Sequence, residues 1–314
     1  MTTINSVGKA KQIVREISKA IVGKDEVLIK ILLAVIAGGH ILMEDIPGVG
    51  KTTLATTLAK TLSLAYHRVQ FTPDVLPSDL LGFSMYDKEK EKFVFRAGSV
   101  FCNLFLADEI NRTSPKTQSA LLEAMEERQA SVEGKTYKLP SPFVVIATEN
   151  PLGSSGTQKL PESQMDRFMI RISMGYPSHN DAIDILKNEV WEKLDEVSVK
   201  LTLEDLVSWQ KKTGEVFVDD KLYDYMVRLT EATREGEYFE NGASPRGSIA
   251  LLRMSKAMAV LDGRDFVTDE DVQKVVTDVL SHRVRLSSRA RAEGRTEQEC
   301  IRSMMKNVPV IAQR

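Results

Sequence analysis

Lys51 and Thr52, directly behind Pro47-Gly48-Val49-Gly50, are the residues whose types and spacing speak most directly of chemistry. Two glycines and a proline exclude regular structure, so the chain must turn there. A short apolar run, His40–Met43, precedes the turn, and Lys51-Thr52-Thr53-Leu54-Ala55 reads as the start of a helix. Strand, glycine-rich turn and helix start make a phosphate cradle. Backbone N–H groups of the turn point inward, and the helix N-terminus adds partial positive charge. Lys51 can reach the β- and γ-phosphates, and the Thr52 hydroxyl can ligate Mg²⁺. Val49 and Thr53 belong to the same cradle. The full pattern, G-x-x-x-x-G-K-[ST], would have its first glycine where Asp45 stands. That leaves the turn geometry at the strand exit open. The competing reading is a glycine turn followed by a chance Lys-Thr.

Asp108-Glu109 close an almost wholly apolar stretch, Val100–Ala107, that reads as a strand buried on both faces. Acids at the carboxyl end of such a strand are costly unless they serve a ligand. Phosphoryl transfer needs positioned phosphates, a divalent metal and an oriented water. Asp108 suits the Mg²⁺, directly or through water, and Glu109 suits the proton of the attacking water. Asn150, after a second apolar strand at Phe143–Thr148, is placed to hydrogen-bond that water or the γ-phosphate. Taken alone it would read as a turn former. ATP with Mg²⁺ is the ligand this set implies.

The elements that must hold these residues follow from periodicity. Residues 9–20 and Asp25–Ala37 read as helices, with Asp25 as N-cap of the second. Strands are expected at His40–Met43, His67–Thr72, Val100–Ala107, Phe143–Thr148 and Met169–Met174. A helix is expected from Pro115 to Glu127. Five strands with intervening helices predict a doubly wound α/β fold with a mainly parallel sheet, ligands lying at the strands' carboxyl ends. Two hairpins interrupt it, at about 83–96 and 129–139, the second turning at Gly134-Lys135 and exposing Lys135 and Tyr137. After Pro177 only helical patterns remain: Asp181–Leu194, Leu203–Lys211, Asp219–Glu235, Pro245–Leu261 and Thr268–Val279. The expected organisation is a nucleotide-binding core over 1–176 and an all-helical lid over 177–314.

Composition narrows the function classes. With 42 basic and 44 acidic side chains the net charge is −2, so no global field draws the chain to nucleic acid or a membrane surface. The longest apolar run, Ile31–Ala37, is far short of a membrane span. The first residues carry no apolar core for a signal peptide. Cys102 and Cys300 are far apart in sequence, which argues against a disulfide framework or a cysteine metal site. Together these predict a cytoplasmic protein. His40, His67, His179 and His282 show no metal-ligand spacing and read as structural or exposed. Arg283, Arg285, Arg289, Arg291 and Arg295 form a basic segment, read as a solvated face or a contact to an acidic neighbour.

The combination resembles the AAA+ ATPases, and within them the MoxR family. The resemblance is carried by Glu44–Thr52, by Leu106-Ala107-Asp108-Glu109-Ile110-Asn111-Arg112, by Ala147-Thr148-Glu149-Asn150-Pro151, by Leu160-Pro161-Glu162 with Asp166-Arg167-Phe168, and by Gly242-Ala243-Ser244-Pro245-Arg246. It runs in the family's order over roughly residues 15 to 285. MoxR proteins commonly carry Asp at the place of Asp45. The resemblance implies that Lys51 and Thr52 are the Walker A pair and Asp108 and Glu109 the Walker B pair. Asn150 resembles sensor 1. Arg167 resembles an arginine finger that enters a neighbour's site; without the family it would read as a salt-bridge arginine. Arg246 resembles sensor 2, which reports the γ-phosphate to the lid. Ile21-Val22-Gly23 resembles the adenine-side loop, and the two hairpins resemble the helix-2 insert and the pre-sensor-1 hairpin of this clade. Glu149 departs from the usual glutamine.

The resemblance further implies a homo-oligomeric ring, a hexamer, that uses ATP to remodel partner proteins in the manner of a chaperone. Complex assembly and metal-cofactor loading, often with von Willebrand factor type A domain proteins, are the family's tasks. Two other classes remain in play. A helicase-like nucleic-acid motor is opposed by the near-neutral charge. A nucleotide-dependent scaffold with little turnover is opposed by Glu109 and Arg167, which a pure binder does not need.

Overall fold

The structure is a computed structural model and describes residues 6–150, 160–187 and 190–310. Helices α1 (Ser6–Ile17) and α2 (Asp25–Ile36) lead into the first strand, β1 (Ile41–Glu44). The N-cap of α2 is Lys24, not Asp25; the Asp25 carboxylate instead accepts a hydrogen bond from Ser18 Oγ at 2.7 Å, tying the two helices together. Helix α3 (Lys51–Thr61) follows the glycine turn, then β2 (Tyr66–Gln70), the short α4 (Pro77–Leu81) and the hairpin β3 (Gly82–Asp87) with β4 (Lys92–Ala97). Next come β5 (Leu104–Asp108), α5 (Pro115–Glu127), the hairpin β6 (Gln129–Val132) with β7 (Lys135–Lys138), and β8 (Val144–Glu149). A single-turn α6 (Glu162–Met165) precedes β9 (Ile170–Ile172).

The core strands lie in the order β2-β5-β8-β1-β9, every neighbouring pair parallel. Alternation along them serves two apolar layers. Ile41, Met43, Leu104, Leu106, Val144 and Ile146 face a cluster with α1, α2 and α3. Leu42, Phe105, Ala107, Val145 and Ala147 face a second cluster with α4 and α5. Strands covered on both faces need apolar residues at both parities, which is why they read as continuous runs. The β5 strand begins later than Val100, because Val100–Asn103 turn before joining the ladder.

The hairpins are stapled together. Tyr137 stacks on Phe95 with ring centroids 3.8 Å apart, so Tyr137 is half-buried and not displayed at the turn as expected.

Beyond β9 the chain is helical: α7 (His179–Lys187), a 3-10 stretch over Val190–Glu196, α8 (Leu203–Glu215), α9 (Asp220–Ala232), then α10 (Pro245–Leu261), α11 (Asp269–Leu280), α12 (Ser288–Ala292) and α13 (Glu297–Lys306). Caps explain several starts: Thr202, Asp219, Ser244, Thr268, Ser287 and Thr296 each accept a backbone N–H of the first turn. Pro151 and residues 188–189 of the helix expected over Asp181–Leu194 lie outside the described residues. The lid also holds a feature that the helical pattern did not predict. A two-stranded antiparallel ribbon pairs β10 (Phe239–Asn241) with β11 (Arg285–Leu286). Helix α10 packs on α1 and α2 as well as on α8, α9 and α11, and its buried residues join the same apolar cluster. No helix among the described residues is long and apolar enough to cross a membrane.

Candidate active site

The cradle forms where β1 hands over to α3. Gly48 and Gly50 have φ of +85° and +92°, a region in which a side chain would be strained. A Cβ on Gly50 would lie 3.6 Å from Ile21 Cδ1, so the 21–24 loop stands beside the turn. Lys51 is buried, and its Nζ donates to the Asp45 carbonyl at 2.9 Å. Burial pulls the Lys51 pKa down; Asp108, then Asp45, then Glu109 push it back up. Lys51 thus lies within electrostatic reach of Asp108, at the end of β5, and of Glu109, just after it.

Parallel pairing brings the ends of β1, β5 and β8 side by side. Asp108 ends β5, where one carboxylate oxygen accepts Thr148 Oγ1 at 2.7 Å and the other accepts Arg68 Nη2 at 2.7 Å. Thr148 Oγ1 also accepts the Glu109 N–H at 2.8 Å. Glu109 itself sits in the left-handed region, φ 57° and ψ 49°, which turns its side chain off the strand axis. Its carboxylate is held by Gln70 Nε2 at 2.9 Å and Arg112 Nη1 at 2.6 Å. Asn150 follows β8 at the same end of the sheet. The Glu149 side chain, the departure from the family pattern, is buried and accepts the Leu160 N–H at 3.0 Å.

The donor set fits Mg²⁺. Thr52 and Asp108 offer a hydroxyl and a carboxylate, hard oxygen ligands. Among the described residues no cluster of three or more His, Cys, Asp or Glu could hold a metal. Mg²⁺ held by Thr52 and Asp108 would take further ligands from phosphate and water, as it commonly does.

Arg167 and Arg246 lie elsewhere. Both line a cavity of about 490 Å³ with Arg128, Arg253 and Arg283. Gly38, Gly39, His40 and Met169 also line it, and these precede β1 and β9. The cavity is thus at the amino end of the sheet, and the cradle is at the carboxyl end. A four-residue strand at about 3.3 Å per residue separates them by roughly 13 Å. Within one chain neither arginine is brought to Lys51. Arg167 Nη1 donates to the Leu122 carbonyl at 2.9 Å and lies 4.0 Å from Glu126. Arg246 Nη1 donates to Glu126 at 2.6 Å, which lowers the Glu126 pKa and raises that of Arg246. Arg283 is the buried anchor of the cavity. It donates to Asp166 at 2.8 Å and to the carbonyls of Phe168 and Met169 at 2.5 and 3.1 Å. Burial pulls its pKa down to about 10 despite Asp166.

Arg283 therefore does not belong to the surface segment in which its sequence neighbours suggested it would lie. The remainder of that segment contacts acids: Arg285 and Arg291 meet Glu240, Arg289 meets Glu237 and Glu293, and Arg295 meets Glu293. Cys102 and Cys300 are free and buried. Arg68, Gln70, Arg112 and Thr148 were not anticipated as site residues. Arg68 and Gln70 sit at the carboxyl end of β2 and Thr148 precedes Asn150, but only strand order shows what they touch.

Comparison with known proteins places this arrangement. Residues 40–170 match the ATPase family associated with various cellular activities, and residues 231–304 match the AAA lid domain. The chain is 44% identical to the uncharacterized protein YeaC of Bacillus subtilis, over 98% of this chain and 96% of that one. It is 38% identical to the chaperone MoxR1 of Mycobacterium tuberculosis, over 93% of this chain and 80% of that one. A crystal structure of a candidate ATPase from Cytophaga hutchinsonii superposes with a TM-score of 0.90 at 38% identity, covering 99% of this chain and 97% of that one. With its parallel five-stranded sheet, its glycine-turn cradle and its helical lid, the chain belongs to the MoxR family of AAA+ ATPases.

Proposed function

We propose that this protein hydrolyses ATP in a site shared between neighbouring subunits of a ring, and uses the cycle to remodel partner proteins. The observation that carries the proposal is the separation of two half-sites. Lys51, Thr52, Asp108, Glu109 and Asn150 gather at the carboxyl end of the sheet, and Arg167 and Arg246 gather at the amino end. A ring apposes the second half-site of one subunit to the first of the next.

In that arrangement the turn Pro47–Gly50 and Lys51 hold the phosphates, and Ile21 and Val22 flank the base. Thr52 and Asp108 would hold Mg²⁺, which would supply charge neutralisation for the phosphates. Glu109 accepts the proton of the attacking water, and Asn150 orients that water. Arg167 and Arg246 of the adjoining subunit neutralise charge that grows on the transferred group. A hexameric ring, a cytoplasmic setting and partners of the von Willebrand factor type A class are parts of the same reading. The name of the chaperone MoxR1 supports the remodelling task.

Isothermal calorimetry and phosphate release test the chemistry. Lys51→Ala should lose ATP binding. Glu109→Gln should keep binding and turn over roughly 10²–10⁴-fold more slowly, the span expected for a general base. Near-normal turnover in Glu109→Gln contradicts its role. Turnover stimulated by DNA would instead favour a nucleic-acid motor.

A further inference from the structure

We propose that Asp45 is a positioning residue for nucleotide binding: its buried carboxylate locks the phosphate turn to the segment after β9, whose next residues wall the base side of the same cleft. The inference rests on the reading of that cleft as an ATP site.

Asp45 is only 3% exposed. A buried carboxylate is costly unless its lone pairs are filled. Here they are filled by Ser173 Oγ at 2.7 Å, the Met174 N–H at 2.7 Å and the Gly175 N–H at 2.9 Å. The rest of the residue works at the cradle. Its N–H donates to the Glu149 carbonyl at 3.2 Å, and its carbonyl accepts Lys51 Nζ at 2.9 Å. One residue therefore joins the ends of β1, β8 and β9.

The next residues complete a circuit. The Tyr176 carbonyl accepts Lys24 Nζ at 2.9 Å. Asp181, held by Ser178, lies so close to Gly23 that a Cβ there would be 2.3 Å from its carboxyl carbon. Gly23 is two residues from Ile21, whose side chain stands against Gly50. The contacts run from the turn through Asp45 to 173–175, on to Tyr176 and Asp181, across to the 21–24 loop, and back to the turn. The glycine of the usual motif cannot make the first link. Glycine at 45 would leave the Ser173 hydroxyl and two backbone N–H groups without their acceptor. Asparagine would aim an NH₂ at groups that are themselves donors.

The test uses the full chain, with Asp45→Asn, Asp45→Gly and Ser173→Ala. Affinities for ATP and for inorganic tripolyphosphate are measured by calorimetry, with KM and kcat for ATP. Asp45→Asn and Asp45→Gly should raise KM and the ATP Kd about 10–100-fold, the scale of one or two charge-assisted hydrogen bonds. Their kcat at saturating ATP should stay within about threefold of wild type. Tripolyphosphate, which has no base, should lose less than about threefold in affinity. Ser173→Ala should raise KM about 3–10-fold, and adding it to Asp45→Asn should cost little more, because the two act through one contact. An unchanged KM in folded Asp45→Asn and Asp45→Gly contradicts the proposal. So does a loss of tripolyphosphate affinity equal to the loss for ATP, which would confine Asp45 to the cradle. Should the Asp45 variants not fold, Ser173→Ala decides alone, and a wild-type KM there overturns the proposal. A wild-type chain that binds no ATP overturns the underlying reading, a result distinct from a failure confined to the variants.

Discussion

Arg246 and Glu126 are joined at 2.6 Å in the lining of a cavity at the opposite end of β1 from Lys51. Their side chains are 46% and 37% exposed, so the pair contributes only about 0–1 kcal/mol. Such a contact can yield to a triphosphate. Glu126→Gln removes the charge that holds Arg246 and that lies 4.0 Å from Arg167, which keeps its bond to the Leu122 carbonyl. The substitution should lower the protein concentration needed for ATP-dependent assembly by up to about 5-fold, the equivalent of that energy. Light scattering across a dilution series reads this directly. Weaker assembly would show instead that Glu126 is itself an interface contact.

Gln70 and Arg112 both hold the Glu109 carboxylate. A carboxylate engaged by two donors is less able to take a proton from water, the role proposed for Glu109. Replacing Gln70 by Leu removes one donor and should raise basal turnover by about 2–10-fold, with the ATP KM unchanged. Steady-state phosphate release checks it. A slower variant would mean that Gln70 orients Glu109 for the reaction and does not restrain it.

Arg283 fastens the lid to the core. Its partners are Asp166 and the carbonyls of Phe168 and Met169, and its side chain is 2% exposed. Arg283→Met removes the donor to Asp166 Oδ1 and to those carbonyls, while Asp166 keeps Ser244 Oγ and the Phe168 carbonyl keeps His282 Nε2. The expected loss is about 3–5 kcal/mol, the cost of breaking a buried pair on one side. Urea denaturation measures it, and a loss under about 1 kcal/mol would contradict the anchoring role.

What could be read in the sequence was local. Pro47–Thr52 and Asp108-Glu109 stand out because the turn is of the kind that phosphate binding needs and because acids ending an apolar run are conspicuous. The bounds of α5 are legible because Pro115 marks its first turn, and the structure adds the Ser114 cap. The rest depends on residues distant in the chain. Thr148 bridges Asp108 and Glu109 only because β8 lies beside β5. Arg167 and Arg246 share a cavity only because α10 starts next to the end of α5. Strands β10 and β11, at three and two residues, are too short to carry a period. Asp45 looked like a missing glycine, and its partners at 173–175 could not be inferred from spacing.

The histidines give a pH dependence. His40 Nδ1 accepts the Val145 N–H at 3.0 Å, and Nε2 faces the Met125 carbonyl at 3.0 Å. These partners select the neutral ring with its proton on Nε2. Burial pulls the pKa from 6.5 to about 4, although the Met125 carbonyl opposes the shift. The unfolded chain thus takes up a proton that the folded one refuses. Stability from this group is fully present above pH 6.5 and is lost as the pH falls toward 4. The limiting slope is about 1.4 kcal/mol per pH unit. His282, buried and shifted the same way, adds to it. Denaturation across that window should show a shallower slope for His40→Gln than for wild type. Parallel slopes would contradict the assignment.

The central claim is that the active site is shared, and mixing two inactive variants tests it most directly. An arginine supplied from outside contributes roughly 10³–10⁵ in rate in related phosphoryl-transfer sites. Arg167→Ala should bind ATP normally and hydrolyse it poorly, and Lys51→Ala should not bind ATP. Co-assembly of the two is first established by light scattering with ATP and Mg²⁺. Phosphate release from the mixture is then compared with that of each variant alone. The account predicts recovered turnover, because some interfaces pair an intact Lys51 with a neighbour's intact Arg167. Co-assembled mixtures no more active than the separate variants would contradict it.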